Sequence, residues 1–359
     1  MMRPHLHRRR LLQAMLATLA GGALPAGAQQ RVPIADMHSH YGMFSRFMSN
    51  SGLAAEMRKE GVAFIAWKLV PDARWTRRSA EGIYQSGTPG EGQLAARYTA
   101  LLGEMKAYVA DQKLRTVLTA ADVDACLAGE AGIVLAAEGA DFLEGRVENL
   151  QPAYAAGLRH LQLVHYIHTP VGDFQTAAPT HNGLSAMGLQ LIEACNARGV
   201  LVDLSHSSGT AADQALDAAR APLVWSHGWV DSAQGTWQDR FGFLKRRLSL
   251  AHAKRIAAGG GVVGLWGLGL ARPGLGWSVG RGDTRAYAQE LANLVGRIGA
   301  DHVALGTDIE GLGTDWSVNT YAHVREVIGH LESMNLGGAT VEKIACGNYS
   351  RVLKTVLRS

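Results

Sequence analysis

Two histidines near the start of the chain have the spacing of metal ligands. His38 and His40 lie in the segment Asp36-Met37-His38-Ser39-His40, directly after the apolar step 32–35. In an extended strand side chains alternate between faces, so the two imidazoles point the same way. Two imidazoles where a strand runs into the loop at Tyr41-Gly42 suit one first-row metal ion. A lone His-x-His pair is more often a surface or hydrogen-bonded pair, so the interpretation depends on the rest of the chain.

Further residues of the metal-binding type follow at the ends of later apolar segments. They are Glu138, His165, His206, His227 and Asp308. Any one of them alone has an ordinary structural explanation, such as a buried hydrogen bond or a loop cap. Together with the first pair they make seven metal-competent side chains at predicted strand ends, which favours a metal-dependent hydrolase.

Short β-rich segments alternate with helical patterns along the chain. Near-continuous apolar segments such as 132–137 and 199–202 are typical of parallel strands that are buried on both faces. The predicted strands are 32–38, 62–68, 132–138, 159–165, 200–206, 222–227, 261–266 and 302–308. The predicted helices are 50–60, 93–112, 119–128, 185–198, 209–219, 249–258, 283–299 and 319–333. Thr119, Ser185, Ser249 and Asp283 are predicted helix caps.

Eight strands separated by helices predict an α/β fold of the (β/α)8 TIM-barrel type. All strand carboxyl ends of such a barrel lie on one face, where active sites are built. The surplus length falls in predicted loop insertions at 70–92, 166–183, 228–247 and 267–282. A doubly wound open sheet is the alternative, but no glycine-rich phosphate-binding motif follows the first strand.

The N-terminal segment 1–28 has the pattern of an export signal. Arg8-Arg9-Arg10 precedes an apolar stretch, 11–24, and an A-x-A-like cleavage site at 26–28. The adjacent arginines loosely suggest twin-arginine export. We therefore expect a periplasmic bacterial protein whose mature part, 29–359, is a single hydrolase barrel. A disordered basic tail is the alternative, and no membrane anchor is expected after cleavage.

The net charge indicates which binding partners to expect, and the cysteine content indicates whether disulfides form. The chain has a formal net charge of +4, and removing residues 1–28 takes away four arginines and no acidic residue. The mature part is then neutral, which gives no indication of a nucleic-acid or anionic-membrane partner. Cys126, Cys195 and Cys346 are widely spaced and odd in number, so we expect buried free thiols rather than a disulfide framework.

These motifs together resemble the renal or membrane dipeptidase family (peptidase family M19) of the metal-dependent amidohydrolase superfamily. The resemblance covers nearly the whole mature chain. It is carried by the segments 36–40, Ala137-Glu138-Gly139, 161–165 with Thr169-Pro170, 183–188, 202–206, Ser226-His227, 301–308 and 347–352.

The resemblance implies a zinc-dependent dipeptidase with two Zn²⁺ ions per chain. His38 and His40 would hold one ion, His206 and His227 the other, and Glu138 would bridge them. The two ions would share a water and lower its pKa, so that a hydroxide attacks the peptide carbonyl. Implied substrates are small peptides, dipeptides with a free C-terminal carboxylate, and a D-residue at the C-terminal position is allowed. The family resemblance is also compatible with a homodimer.

The resemblance also implies roles for four other residues. Asp308 would carry the proton from the attacking water to the leaving amine. His165 would stabilise the oxyanion of the tetrahedral intermediate. Arg246 and Arg247 are the candidates for binding the substrate carboxylate, with Arg247 preferred. A solvated cationic start to the following helix is the alternative for both arginines.

One ligand departs from the family pattern, which has an aspartate where this chain has His40. Replacing an anionic ligand with a neutral one makes the centre one charge more positive. The segments 71–92 and 228–240 also diverge, and we expect them to form pocket walls. These departures keep two alternative functions open. One is another amidohydrolase reaction on the same centre, N-acyl amino acid deacylation or lactone hydrolysis. The other is a non-catalytic binding barrel, disfavoured because Asp308 and all five ligands are present.

Overall fold

Eight parallel strands pair edge to edge until the last one closes against the first. The computed structural model describes residues 31–43, 52–79, 82–230, 243–267, 283–311 and 318–358. The strands in chain order are β1 (Ile34–Ser39), β2 (Val62–Leu69), β3 (Thr76–Ser79), β4 (Gly82–Gln85), β5 (Arg115–Thr116), β6 (Gly132–Ala137), β7 (Leu158–Gln162), β8 (Leu201–Asp203), β9 (Val224–Trp225), β10 (Trp229–Val230), β11 (Arg247–Leu248), β12 (Val262–Leu265) and β13 (Val303–Leu305).

The barrel follows the order β1, β2, β6, β7, β8, β9, β12 and β13, and β13 pairs with β1. All of these pairings are parallel. The eight barrel strands are the eight predicted ones, and the closed sheet rules out the doubly wound alternative. Strand β5 pairs with the start of β6, while β3–β4 and β10–β11 form separate two-stranded sheets.

Helices cover the outside of the barrel. They are α1 (Leu53–Glu60), α2 (Gln93–Asp111), α3 (Ala120–Leu127), α4 (Leu150–Ala155), α5 (Ala186–Arg198), α6 (Gly209–Ala218), α7 (Leu250–Ala258), α8 (Thr284–Ile298), α9 (Tyr321–Ser333), α10 (Gly338–Glu342) and α11 (Asn348–Val356). The four predicted caps are confirmed, since the side chains of Thr119, Ser185, Ser249 and Asp283 each accept a hydrogen bond from a backbone N–H in the first turn.

The last helix, α11, was not among the predicted helices, although its first residues carry one of the family-like motifs. A π-helical turn, Lys343–Gly347, leads into it. Asn348 donates to the backbone oxygens of Ala300 and Val303, at 2.7 and 2.8 Å. Tyr349 packs against Phe64, and the helix thereby covers the end of the barrel where the strands begin.

Asp36, the first residue of the His-x-His motif, joins the first and last strands. Its carboxylate accepts hydrogen bonds from the backbone N–H and the hydroxyl of Thr307 and from the hydroxyl of Tyr321. Burial raises the pKa of Asp36 to about 6, although these hydrogen bonds act in the opposite direction. Asp36 therefore holds the barrel closed rather than binding a ligand.

Three further predictions concern the N-terminal segment, membrane-spanning helices and the cysteines. The structure divides into a unit of residues 1–32 and a unit of residues 33–359. The predicted export signal, 1–28, lies outside the described residues. Within the described ranges, no helix combines the length and apolar character needed to cross a bilayer. Cys126, Cys195 and Cys346 are buried free thiols, as predicted.

Candidate metal centre

Five buried side chains meet at the carboxyl ends of the barrel strands, in two clusters that share Glu138. His38 and His40 form one cluster with it, and His206 and His227 form the other. The Nε2 atoms of His38 and His40 are 3.1 Å apart, and those of His206 and His227 are 3.3 Å apart. Glu138 faces the first pair with Oε2, at 3.4 and 3.0 Å, and the second pair with Oε1, at 3.0 and 3.6 Å.

The spacing and chemistry of these atoms fit metal binding. Two ligand atoms bonded tetrahedrally to one zinc ion at about 2.1 Å lie about 3.4 Å from each other. The separations within each cluster agree with that distance. Imidazole nitrogens with a shared carboxylate form a donor set that suits zinc and similar first-row ions.

The second ring nitrogens of three ligands are held by the protein. The hydroxyl of Ser226 lies 2.9 Å from Nδ1 of His38 and 3.1 Å from Nδ1 of His227. Nδ1 of His40 lies 3.0 Å from the backbone oxygen of Lys68, to which it can only donate. These contacts leave Nε2 of each ring for a metal, which is the usual way in which outer partners orient metal-binding histidines.

Ser226 fits at this position because Gly264 in β12 and Gly306, directly after β13, have no side chain. A Cβ atom on Gly264 would lie 2.0 Å from the backbone oxygen of Ser226, and one on Gly306 would lie 1.7 Å from it. No larger residue fits at either position without moving the backbone that carries Ser226 and His227.

Glu138, His206 and His227 have the charge states that metal ligands need, and His40 is the exception. Burial lowers the pKa of His206 and His227 well below the usual value, and the nearby Arg246 acts in the same direction. Burial raises the pKa of Glu138, but the neighbouring histidines outweigh it and hold that pKa well below the usual range. Burial also lowers the pKa of His40, yet its hydrogen bonds with Asp308 and Glu138 raise it to about 10. A metal ion at this ring must therefore displace a proton.

Asp308 lies directly beside the first cluster. Its Oδ1 atom is 3.2 Å from Nε2 of His40, and its Oδ2 atom accepts a 2.8 Å hydrogen bond from the indole N–H of Trp266. Asp308 and His206 both have left-handed backbone conformations, with φ of 54° and 71°. Such conformations are costly for residues other than glycine and often occur at functional sites.

His165 faces the same centre and is held by a residue that the sequence did not single out. Its Nδ1 atom lies 2.8 and 2.9 Å from the two carboxylate oxygens of Asp72, which is fully buried just after β2. Its Nε2 atom points toward Glu138, 3.6 Å from Oε1. Burial lowers the pKa of His165, but Asp72 and Glu138 outweigh this effect and raise it.

A second unpredicted pair lies inside the barrel. The ammonium of Lys68 donates to Oδ2 of Asp203 at 2.8 Å, and both side chains are fully buried. Oδ1 of Asp203 accepts the backbone N–H groups of Ser205 and Ser226, each at 3.0 Å. This ion pair therefore fixes the chain just before His206 and His227.

The structure separates the two candidate arginines. Arg246 is 1% exposed and donates to the hydroxyl of Tyr166 and to Nε2 of His227, both at 2.9 Å. Its guanidinium lies 4.8 Å from the ring centre of Trp266. Arg247 is exposed and is absent from the described residues that line the metal pocket. The structure thus brings Arg246 into the centre and leaves Arg247 outside it.

The metal pocket has a volume of about 160 Å³ and an apolar wall beside the ligands. Ala73, Thr76 and Ile83 of that wall belong to the predicted segment 71–92, where β3 and β4 form a hairpin. Of the other predicted wall, 228–240, residues 231–240 lie outside the described residues.

The barrel and the two clusters at its carboxyl face form a candidate metal centre. A family model described as membrane dipeptidase (peptidase family M19) matches residues 54–358. The chain therefore belongs to the membrane dipeptidase family and is an enzyme of the metallo-dipeptidase class.

Two individual relatives match large parts of this chain. The chain is 29% identical over 268 residues to an uncharacterized protein in the pqqA 5' region of Klebsiella pneumoniae, covering 72% of this chain and 94% of that protein. It is 26% identical over 238 residues to dipeptidase tcpJ of Claviceps purpurea, covering 64% of this chain and 52% of the fungal protein. This match thus spans about half the length of the fungal protein.

A solved structure supports the fold. It is a metallo peptidase from Rhodobacter sphaeroides liganded with a phosphinate mimic of the dipeptide L-Ala-D-Ala. It superposes with a TM-score of 0.75 at 20% identity and covers 91% of this chain and 99% of its own. At that level of identity the likeness shows the shared barrel.

Proposed function

We propose that this chain is a zinc-dependent dipeptidase that binds two zinc ions and hydrolyses dipeptides with a free C-terminal carboxylate. The observation that carries the proposal is the pair of buried three-ligand clusters joined through Glu138. A buried arginine, Arg246, lies against the second cluster and supplies a charge for the carboxylate. When bound, the two ions supply Lewis acidity, which lowers the pKa of the attacking water toward neutrality.

Arg246 is the residue that we assign to the substrate carboxylate. A guanidinium presents paired N–H donors that match the two oxygens of a carboxylate. One donor is held by Tyr166, and the other uses the Nε2 lone pair of His227. A metal ion would take that same lone pair, so the second donor becomes available to substrate in the loaded enzyme.

We assign proton transfer to Asp308 and stabilisation of the developing negative charge to His165. Oδ1 of Asp308, beside the first cluster, accepts a proton from the attacking water and returns it to the leaving amine. Nε2 of His165 faces the pocket while Asp72 holds Nδ1, so His165 donates to the peptide oxygen as that oxygen gains negative charge.

The favoured substrates are dipeptides with a D-residue at the C-terminal position. This choice is supported by the Rhodobacter sphaeroides relative, whose ligand mimics L-Ala-D-Ala. The export signal expected at 1–28 would place the enzyme in a periplasm, where such fragments of peptidoglycan occur. We propose that the protein is exported to the periplasm.

A second candidate function rests on His40. An imidazole replaces the aspartate of the family pattern, and it lies 3.2 Å from Asp308, the proposed proton carrier. A change next to that carrier can alter the preferred substrate. N-acyl amino acid deacylation or lactone hydrolysis is therefore the alternative reaction for the same centre.

The test is hydrolysis of a panel of L-L and L-D dipeptides by the purified protein. Each peptide is assayed as purified, after chelation, and after addition of Zn²⁺, with bound metal counted by mass spectrometry. We expect two zinc ions per chain and cleavage that chelation abolishes and zinc restores. A protein that holds two metals yet cleaves only N-acyl amino acids or lactones would replace the dipeptidase proposal with the alternative.

A further inference from the structure

A second cavity lies behind the metal ligands of β8 and β9. Its volume is about 400 Å³, and its walls come from the loop 173–183 and from the N-terminal ends of helices α6 and α7. Ser207, which lines the cavity, directly follows the ligand His206, and Trp225 precedes the ligand His227 by two residues. Within the described part of the chain, no residue lines both this cavity and the metal pocket.

Two buried hydrogen-bond donors lie in the cavity wall. The hydroxyl of Ser207 and the indole N–H of Trp225 have no hydrogen-bond partner among the described residues, and both residues are 1% exposed. Buried polar side chains are nearly always hydrogen-bonded in folded proteins. An indole N–H can only donate, so its missing partner is an acceptor.

The charges around the cavity favour an anionic acceptor. Lys245 and Arg247 line it, and the N-terminal ends of α6 and α7 contribute positive potential. Asp173 is the acidic residue in the wall. Its carboxylate already accepts the backbone N–H groups of Thr180, His181 and Gly183, so its negative charge is directed to its own loop.

We propose that this cavity binds a small organic anion through a carboxylate or phosphate group. Ser207 and Trp225 donate to the anionic oxygens, and Lys245 and Arg247 provide the positive charge at the mouth. The apolar side chains in the wall, which include Phe174, accommodate the body of the ligand. The proposal does not depend on the proposed dipeptidase reaction, because the cavity contains no metal ligand.

The test is isothermal titration calorimetry of the metal-loaded full chain, with inorganic phosphate and propionate as separate probes. We expect saturable binding of at least one probe and an affinity about tenfold weaker in Ser207→Ala and in Trp225→Phe, the loss that removal of one good hydrogen bond to a charged group produces. Trp229→Phe is the matched control. The indole N–H of Trp229 is also buried and unpartnered among the described residues, but it does not line this cavity.

The outcomes separate clearly. Binding of phosphate alone identifies a phosphate ligand, and binding of propionate alone identifies a carboxylate, with the variant pattern supporting the site in either case. Absence of saturable binding, or binding that both variants leave unchanged, overturns the proposal. Circular dichroism checks that each variant is folded. If Trp225→Phe does not fold, the test rests on Ser207→Ala. Dipeptide turnover is measured separately, so that failure of one proposal is not read as failure of the other.

Discussion

Replacing Asp72 by asparagine tests how His165 is positioned. Asp72 is fully buried, and both of its carboxylate oxygens lie within 2.9 Å of Nδ1 of His165. Asparagine has the same shape and can still accept one hydrogen bond, but it has no charge. The substitution therefore removes the charge from the contact without opening a cavity.

The expected magnitude follows from this difference. A hydrogen bond to a charged group contributes about 1–2 kcal/mol more than one between neutral groups. If that stabilisation is needed when His165 donates to the peptide oxygen, kcat falls about 5- to 30-fold. The KM and the bound metal should change little, because Asp72 contacts none of the five proposed ligands in the described structure.

The pH profile provides a second readout of the same contact. Asp72 raises the pKa of His165, so asparagine should lower it. Activity that needs protonated His165 is present below that pKa and is lost as the pH rises through it. The alkaline limb of kcat against pH should therefore move to lower pH in Asp72→Asn.

A double-mutant cycle decides whether Asp72 acts through His165. Stopped assays on one dipeptide compare wild type, Asp72→Asn, His165→Gln and the double variant. The double variant should be no slower than His165→Gln alone. An unchanged kcat in Asp72→Asn, or losses that simply add in the double variant, would refute the reasoning.

Three further predictions follow from the same geometry. Asp308→Asn should abolish turnover while bound metal, measured by mass spectrometry, stays the same; unchanged turnover would remove Asp308 from proton transfer. Arg246→Met should raise the KM for dipeptides about 10- to 100-fold, as expected for a lost charged hydrogen bond, while Arg247→Met changes it little; equal effects in the two variants would contradict the assignment. Lys68→Met should lower the free energy of unfolding in urea by about 3–5 kcal/mol, because it leaves the Asp203 carboxylate buried without its cation. A loss well below that range would mean that backbone N–H groups alone satisfy Asp203.

Much of the fold could be predicted from the sequence because the patterns that indicate strands and helix starts are local. Apolar β-rich segments predicted each barrel strand, and capping residues such as Thr119 and Ser249 marked where helices begin. The residues of the two clusters could be predicted to lie together because the strand ends of a parallel barrel meet at one face, so position along the chain already implies proximity. The helix Asn348–Val356 was not predicted, although its buried residues Tyr349, Val352 and Val356 recur with helical spacing.

Only the tertiary structure identified the residues that hold the proposed metal ligands and His165 in place. Asp72 meets His165 across 93 residues, Lys68 meets Asp203 across 135, and Ser226 meets His38 across 188. Contacts over such separations have no local sequence pattern, since they depend on how neighbouring strands are registered when the barrel closes. The choice between Arg246 and Arg247 has the same origin. Arg246 ends a 3-10 helical turn and Arg247 begins β11, and the packing of Arg246 against Tyr166 and Trp266 turns only the first of them inward.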